Sequence, residues 1–113
     1  MSFTIDEGCH VIQDINTAPD YELKHTPKLE IIKGEDLMLV RVTIGLRGIG
    51  HPQTEEHFIE WIRFFVEGEL IEEVSFKAGD VPYFEYSVVP GADFFAMASC
   101  NLHGMWLSYS DSE

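Results

Sequence analysis

Four histidines and one cysteine of this chain could hold a redox-active metal, because neutral imidazole and thiolate are ligands of first-row transition metals. They lie in three short segments: Lys24-His25-Thr26-Pro27, His51-Pro52-Gln53-Thr54-Glu55-Glu56-His57 and Cys100-Asn101-Leu102-His103-Gly104. The chain has five histidines, and only one lies outside these segments. The residue types predict a metal centre.

The most specific local pattern is Cys100-x-x-His103, in which a tight turn after an apolar strand could direct both side chains at one ion. Two main-chain amides after the cysteine could also point at its sulfur and tune a metal thiolate. The structural alternative is a buried, inert cysteine, which is common in β-sandwich cores.

The three other histidines are weaker signals when each is taken alone. His51 and His57 flank one polar loop, and His57 could equally be a hydrogen-bonded core residue at the start of an apolar strand. His25 follows Lys24, and a histidine beside a lysine is usually a surface residue. Pro27 favours an extended conformation of the preceding residue, so we expect His25 to lie in a proline-bounded loop.

Taken together and in this order, the segments resemble the superoxide reductase family, also called neelaredoxins, and the iron domain of desulfoferrodoxins. That family has Lys-His-x-Pro, then His-Pro-x-x-x-Glu-His before an Ile/Trp-rich strand, then Cys-Asn-x-His-Gly. The resemblance covers residues 21–106 of the 113. The chain contains no Cys-x-x-Cys pair, so the resemblance is to the one-iron form without the four-cysteine iron module.

The resemblance implies one mononuclear Fe2+/Fe3+ centre per chain, with the imidazoles in a plane, the thiolate axial and the sixth position open. The implied ligands are His25, His51, His57, His103 and Cys100. It also implies reduction of superoxide to hydrogen peroxide with one electron from a rubredoxin-like donor and two protons. Lys24 would draw in the anion and order water near it, and the protein would form a homotetramer or a homodimer.

One position departs from the family pattern. Many members have a glutamate immediately before the lysine, where it closes the sixth position of the oxidised iron, but this chain has Leu23 there. Glu22 lies one residue earlier. Adjacent side chains of an extended segment point to opposite faces, so we do not expect Glu22 to replace the glutamate.

Two other functions compete with the reductase. A cupredoxin-like β-sandwich electron carrier also binds its metal through cysteine and histidine, often with an axial methionine, and Met105 lies close to His103. Four candidate histidines are too many for such a carrier. The third possibility is an immunoglobulin-like interaction module whose histidines bind no metal.

Composition predicts a folded, single-domain protein over residues 1–113, with residues 1–20 as an N-terminal arm. The formal charge of −13 argues against nucleic acid as a partner. No apolar run has the length of a membrane span, and the N-terminus lacks the features of a signal peptide, so we expect a cytoplasmic protein. Cys9 and Cys100 are expected to be free or metal-bound, and Cys9 and His10 to be structural.

The elements that must position the ligands are strands. Alternating or aromatic and β-branched runs predict strands at 28–33, 39–44, 58–66, 70–76, 83–89, 94–99 and 105–109. Seven short strands separated by turns predict an all-β fold, a seven-stranded antiparallel immunoglobulin-like β-sandwich with little helix. A short helical turn is allowed at 54–56.

Overall fold

The computed structural model describes residues 9–12 and 14–109. In chain order the elements are β1 Cys9–Val11, α1 Asp20–His25, β2 Pro27–Lys33, β3 Met38–Ile44, β4 Ile59–Val66, β5 Glu69–Ser75, β6 Tyr83–Val88, β7 Phe94–Cys100 and β8 Gly104–Tyr109.

The strands form two sheets, one with the order β1-β8-β7-β4-β5 and one with the order β2-β3-β6. Every pairing is antiparallel except that of β1 with β8, where Cys9 lies opposite Met105 in a parallel register. This architecture confirms the expected all-β sandwich with little helix.

The core between the sheets follows from the alternation of apolar residues along the strands. In β3, Val40 and Val42 are fully buried, and they point inward because successive side chains of a strand face opposite sides of the sheet. In β7, Ala96 and Ala98 are fully buried opposite Phe64 and Ile62 of β4. Burying each large apolar side chain contributes roughly 1.5–3 kcal/mol.

Three expectations need correction. The described residues contain eight strands rather than seven, because Cys9–Val11 of the supposed arm adds a parallel edge strand. His25 ends a helix instead of lying in a loop. Residues 55–57 form a bend and not a helical turn. The rest of the arm prediction, over residues 1–8 and 13, lies outside the described residues.

The strand ends bring the three ligand segments to one end of the sandwich. Pro27 pairs with Ile44, so the start of β2 lies beside the end of β3, and Ile59 pairs with Cys100, so the start of β4 lies beside the end of β7. Helix α1 has six residues, and no helix in the described part of the chain is long and apolar enough to cross a membrane.

Candidate metal centre

Four of the five predicted ligands lie within two positions of a strand end. His25 ends α1 two positions before the first residue of β2, and His57 precedes the first residue of β4 by two positions. Cys100 is the last residue of β7, and His103 immediately precedes β8. His51 follows β3 by way of a glycine-rich loop. Rigid strands therefore define the positions from which the side chains converge.

The ligand atoms of four of these residues form one cluster. One atom each from His25, His51, His57 and Cys100 lies within 4.8 Å of all the others. His25 is fully buried and Cys100 is 2% exposed, while His51 and His57 are partly buried. This donor set of imidazoles and a thiol fits a transition metal and not a hard cation such as Ca2+.

Hydrogen bonds fix the orientation of two of the rings. The Nδ1–H of His25 donates to the carbonyl of Tyr21 at 2.7 Å, and the Nδ1–H of His51 donates to the carbonyl of Pro52 at 2.6 Å. In a neutral imidazole this leaves Nε2 with a free lone pair. A main-chain carbonyl in this role is the usual outer partner of a metal-binding histidine.

Unpaired buried nitrogens show that the cluster fits a metal. Nε2 of His51 and Nε2 of His57 are buried and have no hydrogen-bond partner. Burying a polar atom without a partner is costly, and a metal ion bound to these atoms would remove that cost. The described residues therefore fit the iron that the sequence resemblance implies.

The pKa values of these histidines are shifted toward the ligating form. Burial, followed by repulsion from His51, His103 and His57, lowers the pKa of His25 to about 4. Burial also lowers the pKa of His51 to about 4 and, together with the positive charges of His103 and Lys24, lowers the pKa of His57. All three rings are neutral near pH 7, as metal binding requires.

His103 lies against this cluster. Its Nδ1 is 3.2 Å from Nε2 of His25 and 3.8 Å from Sγ of Cys100. Two nitrogens bound to one ion at about 2.1 Å and at a right angle would be separated by about 3 Å. The fold thus brings all five predicted ligand residues together, and ligation by His103 stays a prediction.

Helix α1 forms although the sequence gives little sign of it. Pro19 precedes it without a side-chain cap, and the buried Leu23 and His25 anchor its inner face. The amide of Leu46 donates to the carbonyl of Leu23 at 2.9 Å, and the Thr26 hydroxyl donates to the carbonyl of Glu22 at 2.8 Å. These contacts hold His25 against the loop that leads to His51.

Aromatic rings pack around the histidines. The indole of Trp106 stacks on the His25 ring with centroids 5.0 Å apart and an interplanar angle of 20°, and its Nε1–H donates to the carbonyl of His103 at 3.2 Å. Tyr21 lies 4.9 Å from the His25 centroid and 5.2 Å from the His103 centroid. These contacts restrict the rotation of both imidazoles.

Lys24 brings positive charge to the cluster. It lies in the last turn of α1, directly before His25, and its charge contributes to the lowered pKa of both His51 and His57. The side chain is partly buried. A cation in this position adds local positive potential to a chain whose formal charge is −13.

Cys9 and His10, which we predicted to be structural, lie outside the cluster. Cys9 packs with Phe65, Met97 and Leu107, and His10 stacks on Trp106 with centroids 4.4 Å apart. Both Cys9 and Cys100 are free thiols, as expected. Met105 belongs to the same apolar cluster as Cys9, so the structure gives no support to a cupredoxin-like axial methionine.

Sequence reasoning gave no role to several residues that contact the ligand segments. Asn101 and Gln53 accept hydrogen bonds from successive amides next to His57. Asn101 lies inside the Cys-Asn-x-His motif, and this position in the sequence could have indicated a role for it at the site. Tyr21 and Trp106 had no signal, because their contacts depend on how the elements pack.

Comparisons with known proteins agree with this geometry. The Desulfoferrodoxin family model matches residues 17–109. A superoxide reductase of Pyrococcus abyssi is 34% identical over 95 residues, covering 74% of this chain and 82% of the relative. A desulfoferrodoxin homolog of Archaeoglobus fulgidus is 32% identical over 97 residues, covering 86% and 71%. The solved superoxide reductase (neelaredoxin) of Ignicoccus hospitalis superposes with a TM-score of 0.70 at 26% identity, covering 95% of each chain.

Proposed function

Since the chain belongs to the desulfoferrodoxin family, we propose that it is a non-haem iron superoxide reductase. It reduces superoxide to hydrogen peroxide, taking one electron from an external donor and two protons from solvent. Relatives and structural neighbours named superoxide reductase support this reaction.

The observation that carries the proposal is the convergence of the ligand atoms of His25, His51, His57 and Cys100 within 4.8 Å of one another. With His103 they would hold a mononuclear iron. When bound, iron would supply a one-electron couple between its ferrous and ferric states. A thiolate among imidazoles favours electron release toward an oxygen species, as thiolate ligation does in haem enzymes.

The protein residues have separate tasks in this reaction. The imidazoles of His25 and His51 stay neutral near pH 7 and are oriented by main-chain carbonyls, so they do not compete with the substrate for protons. Lys24 attracts superoxide and stabilises negative charge near the cluster. We assign it as the catalytic residue because it directly precedes His25 in α1 and its charge contributes to the lowered pKa of His51 and His57.

The electron donor, assembly and location belong to the same proposal. A rubredoxin-like protein would re-reduce the iron, and the chain would assemble as a homotetramer or a homodimer in the cytoplasm. The formal charge of −13 argues against nucleic acid as a partner.

Metal analysis and product stoichiometry test the function. The purified protein should contain one iron per chain and, with a reductant present, release one hydrogen peroxide for each superoxide consumed. Release of half that amount would show disproportionation and refute the reductase assignment. Cys100→Ser should lose the activity, whereas Cys9→Ser, which changes a thiol outside the cluster, should keep it.

A further inference from the structure

The loop that carries His51 and His57 is joined to the Cys100–His103 turn by a side chain rather than by main chain alone. The antiparallel ladder between β4 and β7 pairs Ile59 with Cys100. One residue further, the amide of Asn101 donates to the carbonyl of Phe58 at 3.1 Å. A regular ladder would complete this pair with the amide of Phe58 donating to the main-chain carbonyl of Asn101.

The side chain of Asn101 takes that acceptor role. Its Oδ1 accepts the amide of Phe58 at 2.9 Å. The main-chain carbonyl of Asn101 is therefore not needed as an acceptor in the ladder. Strand β7 can end at Cys100, and the chain turns through residues 101–103. This early exit allows His103 to fold back to within 3.8 Å of the Cys100 sulfur.

The other end of the same carboxamide reaches across His57. Nδ2 of Asn101 donates to the carbonyl of Glu56 at 3.1 Å. Asn101 thus binds the main chain on both sides of His57, at residues 56 and 58, and is itself bonded covalently to Cys100. One planar group sets the distance between two of the four clustered ligands.

Gln53 reinforces the arrangement within the loop. Its Oε1 accepts a hydrogen bond from the amide of Ile59 at 2.7 Å. The preceding amide, that of Phe58, donates to Asn101. The main-chain carbonyl of Gln53 accepts the amide of Gly79 at 2.8 Å. The two side chains thus fix the main chain at Phe58 and Ile59, directly after His57.

We propose that Asn101 is a positioning residue of the metal centre, whose carboxamide holds His57 in register with Cys100. The inference rests on the proposed function only in treating these side chains as metal ligands. It requires an acceptor and a donor on one short side chain. Aspartate keeps only the acceptor, and alanine keeps neither.

Cobalt binding to metal-free protein tests this role independently of superoxide chemistry. The affinity for Co2+ and the absorption bands of the bound ion should be measured for Asn101→Ala, Asn101→Asp and the control Leu102→Ala. Leu102 lies in the same turn and is 59% exposed. Removing an outer partner of a ligand typically weakens metal affinity 10–100-fold, and we expect about 10-fold or more for Asn101→Ala, with altered bands.

The aspartate variant separates the two contacts. Its added negative charge should by itself favour a cation, so weaker Co2+ binding would come from the lost donor to Glu56. Thermal unfolding of the metal-free variants distinguishes positioning from stability. We expect midpoints within about 5 °C of the parent because Asn101 is exposed, so water can hydrogen-bond to the freed main-chain groups although it cannot hold the two segments in register.

Co2+ affinity equal to that of the parent in Asn101→Ala would overturn the proposal, as would an equal loss in Leu102→Ala. If Asn101→Ala does not fold, Asn101→Asp decides the question, and parent-like or tighter binding by that variant would be the contrary result. If the Asn101 variants lose superoxide reduction but every variant binds Co2+ as the parent does, the positioning role is refuted. The reductase assignment would remain intact in that case.

Discussion

Gly45 is the residue at which a single added methyl group should disturb both the fold and the metal centre. Its φ is +107°, and a Cβ there would lie 2.1 Å from the carbonyl oxygen of Ile49. Its amide donates to the carbonyl of Thr26 at 2.9 Å, directly after His25. The loop that begins here leads to His51, so Gly45→Ala strains the connection between two ligand segments.

Gly48 provides a matched control in the same loop. Its φ is +79°, and nothing lies within 4 Å of a Cβ built on it. Gly48→Ala should therefore cost only the conformational penalty of a positive φ, about 1–2 kcal/mol.

Gly45→Ala carries the same penalty and must also move the Ile49 carbonyl by about 1 Å to reach an allowed contact. That shift breaks the hydrogen bonds from Gly45 to Thr26 and from Ile49 to Leu46, each contributing about 1 kcal/mol. The total loss of unfolding free energy is about 3–4 kcal/mol.

Urea unfolding of the metal-free proteins at pH 7 measures both losses, and Co2+ titration measures the effect on the centre. We expect Gly45→Ala to be about 2 kcal/mol less stable than Gly48→Ala and to bind Co2+ more weakly. Equal destabilisation by the two substitutions would refute the assigned contact between residue 45 and the Ile49 carbonyl.

Four further outcomes follow from the centre. Cys100→Ser should remove the thiolate-to-iron charge-transfer band of the oxidised protein, while Cys9→Ser retains it; a band that persists in Cys100→Ser contradicts ligation of the iron by Cys100. Lys24→Ala should slow the reaction with superoxide about 10-fold in stopped-flow or pulse-radiolysis assays, while Lys28→Ala does not; equal rates would remove Lys24 from the mechanism. Glu22→Ala should change turnover little, and a large loss of rate or of ferric-site stability would show that Glu22 acts as the missing glutamate. The pKa values of His25 and His51 are about 4 in the folded protein and about 6.5 in the unfolded chain. Between these values the unfolded chain binds more protons, so the stability of the metal-free protein should fall as the pH drops from 7 to 5. An unchanged thermal midpoint over that interval would contradict the lowered pKa values.

Period-two alternation made most strands predictable. The predicted strand 39–44 matches β3, because the apolar residues Val40, Val42 and Ile44 alternate along it and all three are buried. β1 could not be predicted in this way, since three residues carry no alternation and the pairing with β8 joins opposite ends of the chain. α1 was missed because six residues are too few for helical periodicity and too short to be stable without tertiary contacts.

The clustered residues His25, His51, His57 and Cys100 could be predicted because their three segments, taken in order, resemble a known family that implies this donor set. The contacts that orient them could not be predicted, because they depend on three-dimensional packing. Asn101 binds the amide of Phe58 across 43 residues of sequence, and Trp106 stacks on His25 only after β8 has joined the sheet. Motif spacing identifies which atoms can bind a metal, whereas the fold decides the angles at which they meet.

Helix α1 also changes the interpretation of the leucine at position 23. The sequence argument placed Glu22 and Leu23 on opposite faces of an extended segment, but successive residues of a helix are rotated by about 100°. Leu23 is 7% exposed, and its carbonyl accepts the amide of Leu46, so this residue anchors the helix that ends at His25. A glutamate there would bury a carboxylate at the same point, at a high desolvation cost. Residue 23 cannot serve both as a buried anchor and as a carboxylate lid in this geometry, so the leucine secures the position of His25, and Lys24 stays the predicted catalytic residue of this helix.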